Sequence, residues 1–153
     1  MKNGILLIVC ILFPLIVGAV SGFFTSESIY TWYIFLNKPS FNPPNYLFGP
    51  VWTTLYFLMG ISFYMIVRKS TAKSSLVFIF FIQLSLNFLW SFIFFKFHLL
   101  GYALIEIIML WISILLMIVL FYKENKIAGL LNIPYLLWVT FASILNYSLY
   151  SLN

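Results

Sequence analysis

Five apolar runs, each about 20 residues or slightly longer, dominate the chain: Ile5–Phe24, Tyr46–Val67, Leu76–Phe95, Gly101–Tyr122 and Ile127–Leu149. A hydrocarbon core of ~30 Å is spanned by a helix of about that length. Inside lipid every backbone N–H and C=O must find its partner within the protein, which leaves helices or a closed barrel. A membrane barrel needs alternating segments of ~10 residues, and these runs do not alternate. The expectation is an all-α membrane protein, a bundle of five transmembrane helices in a single domain spanning residues 1–153. Composition agrees: 64% of the residues are hydrophobic and 7% charged, against about 25% charged in an ordinary soluble domain.

The connections differ in length. Arg68–Ser75, Lys96–Leu100 and Lys123–Lys126 are short, so the helices they join must be antiparallel neighbours. The connection Thr25–Asn45 is long and carries Trp32, Tyr33, Pro39, Pro43 and Pro44. Its prolines argue against a long helix there, and its aromatic content predicts an ordered cap over one mouth of the bundle. Ala19-Val20-Ser21 resembles a signal-peptide cleavage site. The run continues to Phe24, however, and is long enough to span, so it is read as a membrane helix. Pro14 and Pro134 should bend their helices.

Orientation follows from Lys and Arg. Lys2, Arg68, Lys69, Lys73, Lys123 and Lys126 fall on one side of the membrane, and only Lys38 and Lys96 on the other. The positive-inside rule places the N-terminus in the cytoplasm and the long loop and C-terminus outside a cell membrane. The net charge of +5 is spread over short connections and forms no stripe for nucleic acid.

Chemistry is sparse. Cys10 and His98 are the sole residues of their kinds, which excludes a disulfide within the chain and any site built from several Cys or His ligands. There is no Ser-His-Asp set and no phosphate loop, and no mid-span lysine for a Schiff base. No resident cofactor is expected. Glu106 is the one acid within a run, about 7.5 Å below its start at 1.5 Å per residue. An intramembrane acid is a functional candidate by default; a polar anchor paired with Lys96 is the plainer and preferred reading. Gly18 and Gly22 allow close helix approach, within the bundle or between two chains.

Three helix faces collect polar and aromatic side chains. Trp52 and Tyr56 are four apart; Asn87, Trp90, Ser91 and Phe94 fall at i, i+3, i+4 and i+7; Tyr135, Trp138, Ala142 and Leu145 share a face of the last run. Ordinary helix packing accounts for any one of them. Three such faces under an aromatic loop predict a pocket for a flat apolar ligand.

The motifs behind these faces resemble the TspO/MBR family, the tryptophan-rich sensory proteins, whose animal members are the translocator proteins or peripheral benzodiazepine receptors. The resemblance rests on Trp32-Tyr33-Ile34-Phe35-Leu36-Asn37-Lys38-Pro39-Ser40-Phe41-Asn42-Pro43-Pro44, Phe48-Gly49-Pro50-Val51-Trp52-Thr53-Thr54-Leu55-Tyr56, Gln83-Leu84-Ser85-Leu86-Asn87-Phe88-Leu89-Trp90-Ser91, and Pro134-Tyr135-Leu136-Leu137-Trp138 with Leu145-Asn146-Tyr147. It covers nearly the whole chain. It implies a five-helix bundle, frequently a homodimer, that binds porphyrins such as protoporphyrin IX and isoquinoline or benzodiazepine-type ligands. In some bacterial members it implies light-dependent porphyrin degradation, with porphyrin as substrate and not only ligand. Carried over by position, the pocket uses Tyr33, Pro43, Trp52, Asn87, Trp138, Ala142 and Leu145, with Trp90 beside them on the third run. Trp52 and Trp138 are the candidates for a reactive role.

Two departures stand out. Phe41 replaces a second loop tryptophan, and no Lys or Arg follows Tyr147, so high-affinity cholesterol binding is not expected. Lys38 is within reach of a porphyrin's propionates in this reading. A transporter of porphyrin or other small apolar molecules is the alternative. Five helices without an inverted repeat give it no alternating-access symmetry.

Overall fold

The structure, a computed structural model, describes residues 2–68 and 74–153. Lys69 and Lys73, counted above for orientation, lie outside the described residues. The described residues form helices and no strand: α1 (Lys2–Thr31), a single 3-10 turn (Tyr33–Phe35), α2 (Asn45–Val67), α3 (Ser74–Ser91) running on into a π-helical turn (Phe92–Lys96), α4 (Leu100–Glu124), α5 (Lys126–Leu130) and α6 (Ile133–Leu152). Five segments are long and apolar enough to cross a bilayer, α5 and α6 together making the fifth. The chain is an all-α, five-span membrane bundle.

The first helix is longer than its apolar run. It continues seven residues past Phe24, to Thr31, through a polar stretch. Thr25 Oγ1 donates to the Ser21 carbonyl at 2.8 Å, Ser26 Oγ to Phe23 at 3.2 Å and Thr31 Oγ1 to Glu27 at 2.9 Å. Hydroxyls bonded back along their own helix need neither water nor a turn. The prolines expected to break a helix begin only at Pro39 and leave this stretch untouched. The connecting loop is therefore residues 32–44, shorter than expected.

Pro134 does not bend a continuous helix. It stands in the first turn of α6, where its missing N–H costs nothing, and Leu131 and Asn132 separate α5 from α6. The break is stitched from inside. Ser62 Oγ donates to the Ala128 carbonyl at 2.7 Å, and Asn132 Nδ2 donates to Ser62 Oγ at 2.6 Å and Ala128 O at 2.9 Å. Asn125 caps α5 by accepting from the Ile127 and Ala128 amides.

The core lies among α2, α3, α4 and α6. From α4, Ala103, Ile107, Leu110, Ile114, Met117 and Phe121 form one buried helical stripe. Phe80 stacks on Phe63 with ring centroids 3.8 Å apart. By contrast α1 presents Ile8, Leu12, Ile16 and Phe23 outward, as suits a lipid face. It meets α2 through two glycines. A Cβ on Gly60 would stand 2.6 Å from the Ile11 Cα, and one on Gly18 2.2 Å from the Tyr56 ring. Gly18, a candidate for contact between chains, is thus spent inside the bundle. Gly22 has open space around it.

Candidate functional site

The α1–α2 loop, the π-helical turn and the C-terminal half of α6 close one end of the bundle. Tyr33, 2% exposed, donates its phenol proton to Asn42 Oδ1 at 2.6 Å. Burial pushes that phenol up to about 12, the Asn42 hydrogen bond opposing the shift, so Tyr33 stays a neutral donor. Lys38 Nζ donates to the carbonyls of Ile34 at 3.0 Å and Leu36 at 3.1 Å and stands 5.0 Å over the Tyr33 ring. Lys38, available to a porphyrin's propionates or to solvent on the sequence alone, takes part in folding the loop. Trp32 stacks on His98 at 4.1 Å, and His98 carries a φ of 58°. A side chain in that region is uncommon; here the stack ties the loop to the α3–α4 turn. Asn37 and Asn153 complete the closure: the Asn37 amide donates to Asn153 Oδ1 at 2.9 Å and Asn153 Nδ2 to the Asn37 carbonyl at 3.0 Å.

Under this cover lies a small aromatic cavity. Of the residues expected for a pocket, Tyr33, Trp52, Trp90, Trp138, Ala142 and Leu145 all line it. They are joined by Phe48, Phe94, Phe95, Phe141, Asn146 and Leu149. The space is about 20 Å³, room for about one water, so the rings are closed on one another. The wall is built by edge and tilted contacts: Phe48 meets Trp138 at 6.1 Å and 72°, Trp138 meets Phe141 at 5.4 Å, and Trp90 meets Phe94 at 5.2 Å. Trp90 Nε1 donates to Asn146 Oδ1 at 3.2 Å, and Asn146 Nδ2 to the Leu100 carbonyl at 3.0 Å. The Trp138 indole N–H is buried and meets no acceptor.

Asn87 and Pro43 are not among the lining residues. Asn87, 1% exposed, accepts from the Tyr56 hydroxyl and donates through Nδ2 to the Tyr135 hydroxyl at 3.0 Å. Those two phenol rings buttress Trp52 at 5.7 Å and 6.1 Å. The amide therefore sets the wall from behind. Pro43 belongs to the loop, where its carbonyl accepts from Asn42 Nδ2 at 3.0 Å. Glu106, 4% exposed, has no hydrogen-bond partner at either carboxylate oxygen, and the expected pair with Lys96 does not form.

Phe95 and Phe141 were not foreseen. Phe141 follows Trp138 by three residues, a spacing that was legible. Phe95 was not, because a regular helix would turn it away from Phe94; the wider π-helical turn, with Phe97 N–H bonded to the Phe92 carbonyl at 2.9 Å, brings both to the wall. Such turns recur at functional sites. Among the described residues no group of three His, Cys, Asp or Glu side chains is placed to hold a metal ion.

Comparison with known proteins matches the chain to the TspO/MBR family over residues 10–151. It is 47% identical to the tryptophan-rich protein TspO of Archaeoglobus fulgidus, over 99% of the length of each. It is 40% identical to the protein of that name from Chlorobaculum tepidum, covering 99% of this chain and 98% of the other. With the human translocator protein it shares 35% identity over 80% of this chain and 75% of the relative. Five membrane spans, a tryptophan-lined cavity under an aromatic loop and these matches lead to one conclusion: the chain belongs to the TspO/MBR family.

Proposed function

We propose that the chain is a membrane receptor that takes up planar aromatic molecules, porphyrins such as protoporphyrin IX first among them, into the tryptophan-lined cavity beneath the α1–α2 loop. Isoquinoline and benzodiazepine-type compounds, with a flat apolar body and a polar acceptor, belong to the same reading. The observation that carries it is the make-up of the wall. Three indoles and several phenyl rings converge on one space, and one of them, Trp138, has a buried N–H without an acceptor. A buried donor left unpaired costs about 1–3 kcal/mol, which a ligand acceptor would recover. Aromatic rings bind flat rings by offset or edge contacts. Binding requires the closed rings to part, since the present space is far below the ~300–1,000 Å³ of a ligand pocket. A titration of protoporphyrin IX into the protein in lipid nanodiscs, read by tryptophan fluorescence, tests this. Saturable quenching supports it, and quenching no greater than simple partition into bilayer overturns it.

Light-driven degradation of the bound porphyrin is a second reading, favoured by the grouping of oxidisable rings: Trp52 stands against Tyr56 and Tyr135, with Trp138 on the same cavity. A product-resolved assay in light and in darkness separates it from binding alone. The same account places the N-terminus in the cytoplasm and pairs two chains as a homodimer in a cell membrane. The basic residues Arg68, Lys123 and Lys126 at one end of the bundle, against Lys38 and Lys96 at the other, support the orientation.

A further inference from the structure

The small cavity has a larger neighbour. A chamber of about 470 Å³ lies between α1, α2 and the end of α3, and Phe48, Trp52, Trp90 and Phe95 line both spaces. Those four rings are the partition between them. The chamber's size is that of a ligand site, whereas the cavity behind the partition holds about 20 Å³.

The chamber opens sideways. Its rim residues Ala19 and Gly22 on α1, and Gly49 and Thr53 on α2, are exposed. All four lie within helices long and apolar enough to cross a bilayer, which puts the rim on the flank of the bundle rather than under the loop. Small residues on α1 make the opening: a Cβ on Gly22 would meet nothing within 4 Å. The lining is mostly apolar with a few hydroxyls. Thr25 and Thr53 donate to their own helices at 2.8 Å and 2.9 Å, which leaves their oxygens free to accept. Ser21 Oγ, on a residue only 3% exposed, has no partner. The mouth toward the aqueous phase is fastened instead, by the reciprocal Asn37–Asn153 amide bonds, the Tyr33–Asn42 bond and the Trp32–His98 stack.

We infer that flat apolar ligands reach the tryptophan cavity from the bilayer, through the chamber between α1, α2 and α3, with Trp52 and Trp90 parting to admit them while the loop mouth stays shut. This rests on the cavity being the ligand site. A porphyrin partitions into lipid, where the rim meets it already desolvated; entry by the loop would require breaking several hydrogen bonds and a ring stack in each passage. Trp90 is held by one hydrogen bond of 3.2 Å to Asn146 and by ring contacts with Phe94 and Phe95, and Trp52 by ring contacts alone among those observed, so parting the partition breaks one hydrogen bond where opening the loop mouth breaks several.

The test uses the full chain in proteoliposomes with protoporphyrin IX as the probe, read by the rate of tryptophan quenching. Gly22→Phe fills open space and should slow both association and dissociation by roughly tenfold with little change in equilibrium affinity, as expected for an obstructed path. Releasing the loop with Asn37→Ala and Asn153→Ala together should leave both rates within about twofold of the parent. Faster exchange on releasing the loop, with Gly22→Phe exchanging like the parent, would overturn the proposal and assign entry to the aqueous mouth. A second measurement needs neither substitution at Gly22 nor a ligand. With Trp32, Trp111 and Trp138 changed to Phe, brominated acyl chains should quench Trp52 and Trp90. Emission unchanged by brominated lipid would show that the chamber is sealed from the bilayer, by a second copy of the chain or by its own side chains, and the side entry falls. Absence of saturable porphyrin binding in the parent overturns the ligand reading and this route with it; saturable binding with loop-controlled rates overturns the route alone.

Discussion

Asn87 holds two phenols with one amide, accepting from Tyr56 and donating to Tyr135 in a site that excludes water. Changing it to Ala strands both hydroxyls, and each unsatisfied group costs about 1–3 kcal/mol. The loss of stability in mixed micelles should therefore be on the order of 2 kcal/mol or more, seen as a lower denaturant midpoint. Porphyrin affinity should fall only as far as Trp52 loses its buttress. A variant as stable as the parent would contradict this role. Tyr33 gives a prediction in pH. Its phenol is raised from 10.0 to about 12 by burial, so its contribution is complete below the unfolded value near pH 10. It is lost as pH rises from there through the folded value, because the unfolded chain sheds the proton first. Alkaline loosening of the loop, followed by tyrosinate absorbance, should start between those limits, and the difference between the parent and Tyr33→Phe should isolate it. A parent that ionises all its tyrosines near pH 10 would show that Tyr33 is not sealed. Trp138→Phe keeps the ring and removes the unpaired N–H. Porphyrin binding should weaken by about 1 kcal/mol, and any loss of porphyrin in light should fall much further; equal rates in both proteins would deny Trp138 a reactive part.

At the scale of elements, the membrane spans were legible because twenty consecutive apolar residues have few other folds open to them. The ends of those spans were not. Hydropathy stops at Phe24, yet hydroxyls bonded back to carbonyls carry α1 to Thr31. The final run read as one helix, but Asn132 and Pro134 divide it, after a first short helix capped by Asn125; a single apolar stretch conceals a break that such residues set. The faces bearing Trp52, Trp90, Trp138, Ala142 and Leu145 were visible from helical spacing and meet in one cavity. Asn87 was assigned by the same spacing; spacing alone does not tell a side chain that lines a cavity from one that supports its wall. The glycines of α1 divide likewise. Gly18→Leu would drive into Tyr56, which a Cβ already meets at 2.2 Å, and should destabilise by roughly 1–3 kcal/mol as an overpacked core does. Gly22→Leu, in open space, should fold like the parent in thermal denaturation. Equal damage from both would show that Gly22 also packs against something, a partner chain being the first candidate.

The whole molecule has two unlike ends. One carries Arg68, Lys123 and Lys126; the other carries the ordered loop, the closed cavity and only Lys38 and Lys96, with Lys38 bonded into the loop itself. Reporter domains fused after Asn153 should be active only outside the cytoplasm; activity inside would reverse the orientation and put the cavity end in the cytoplasm. Between the ends runs a bundle whose aromatic rings pack around a space of about 20 Å³, beside a chamber of about 470 Å³ that shares four of those rings. The central claim is that the tryptophan-lined cavity opens to hold one planar ligand. Its most direct test is a structure of the protein with protoporphyrin IX in a lipid bilayer. The account predicts one macrocycle per chain beneath the α1–α2 loop, in contact with Trp52 and Trp138, with the rings of the closed cavity moved apart around it. A macrocycle found only on the lipid-facing surface, with those rings still closed, would contradict it.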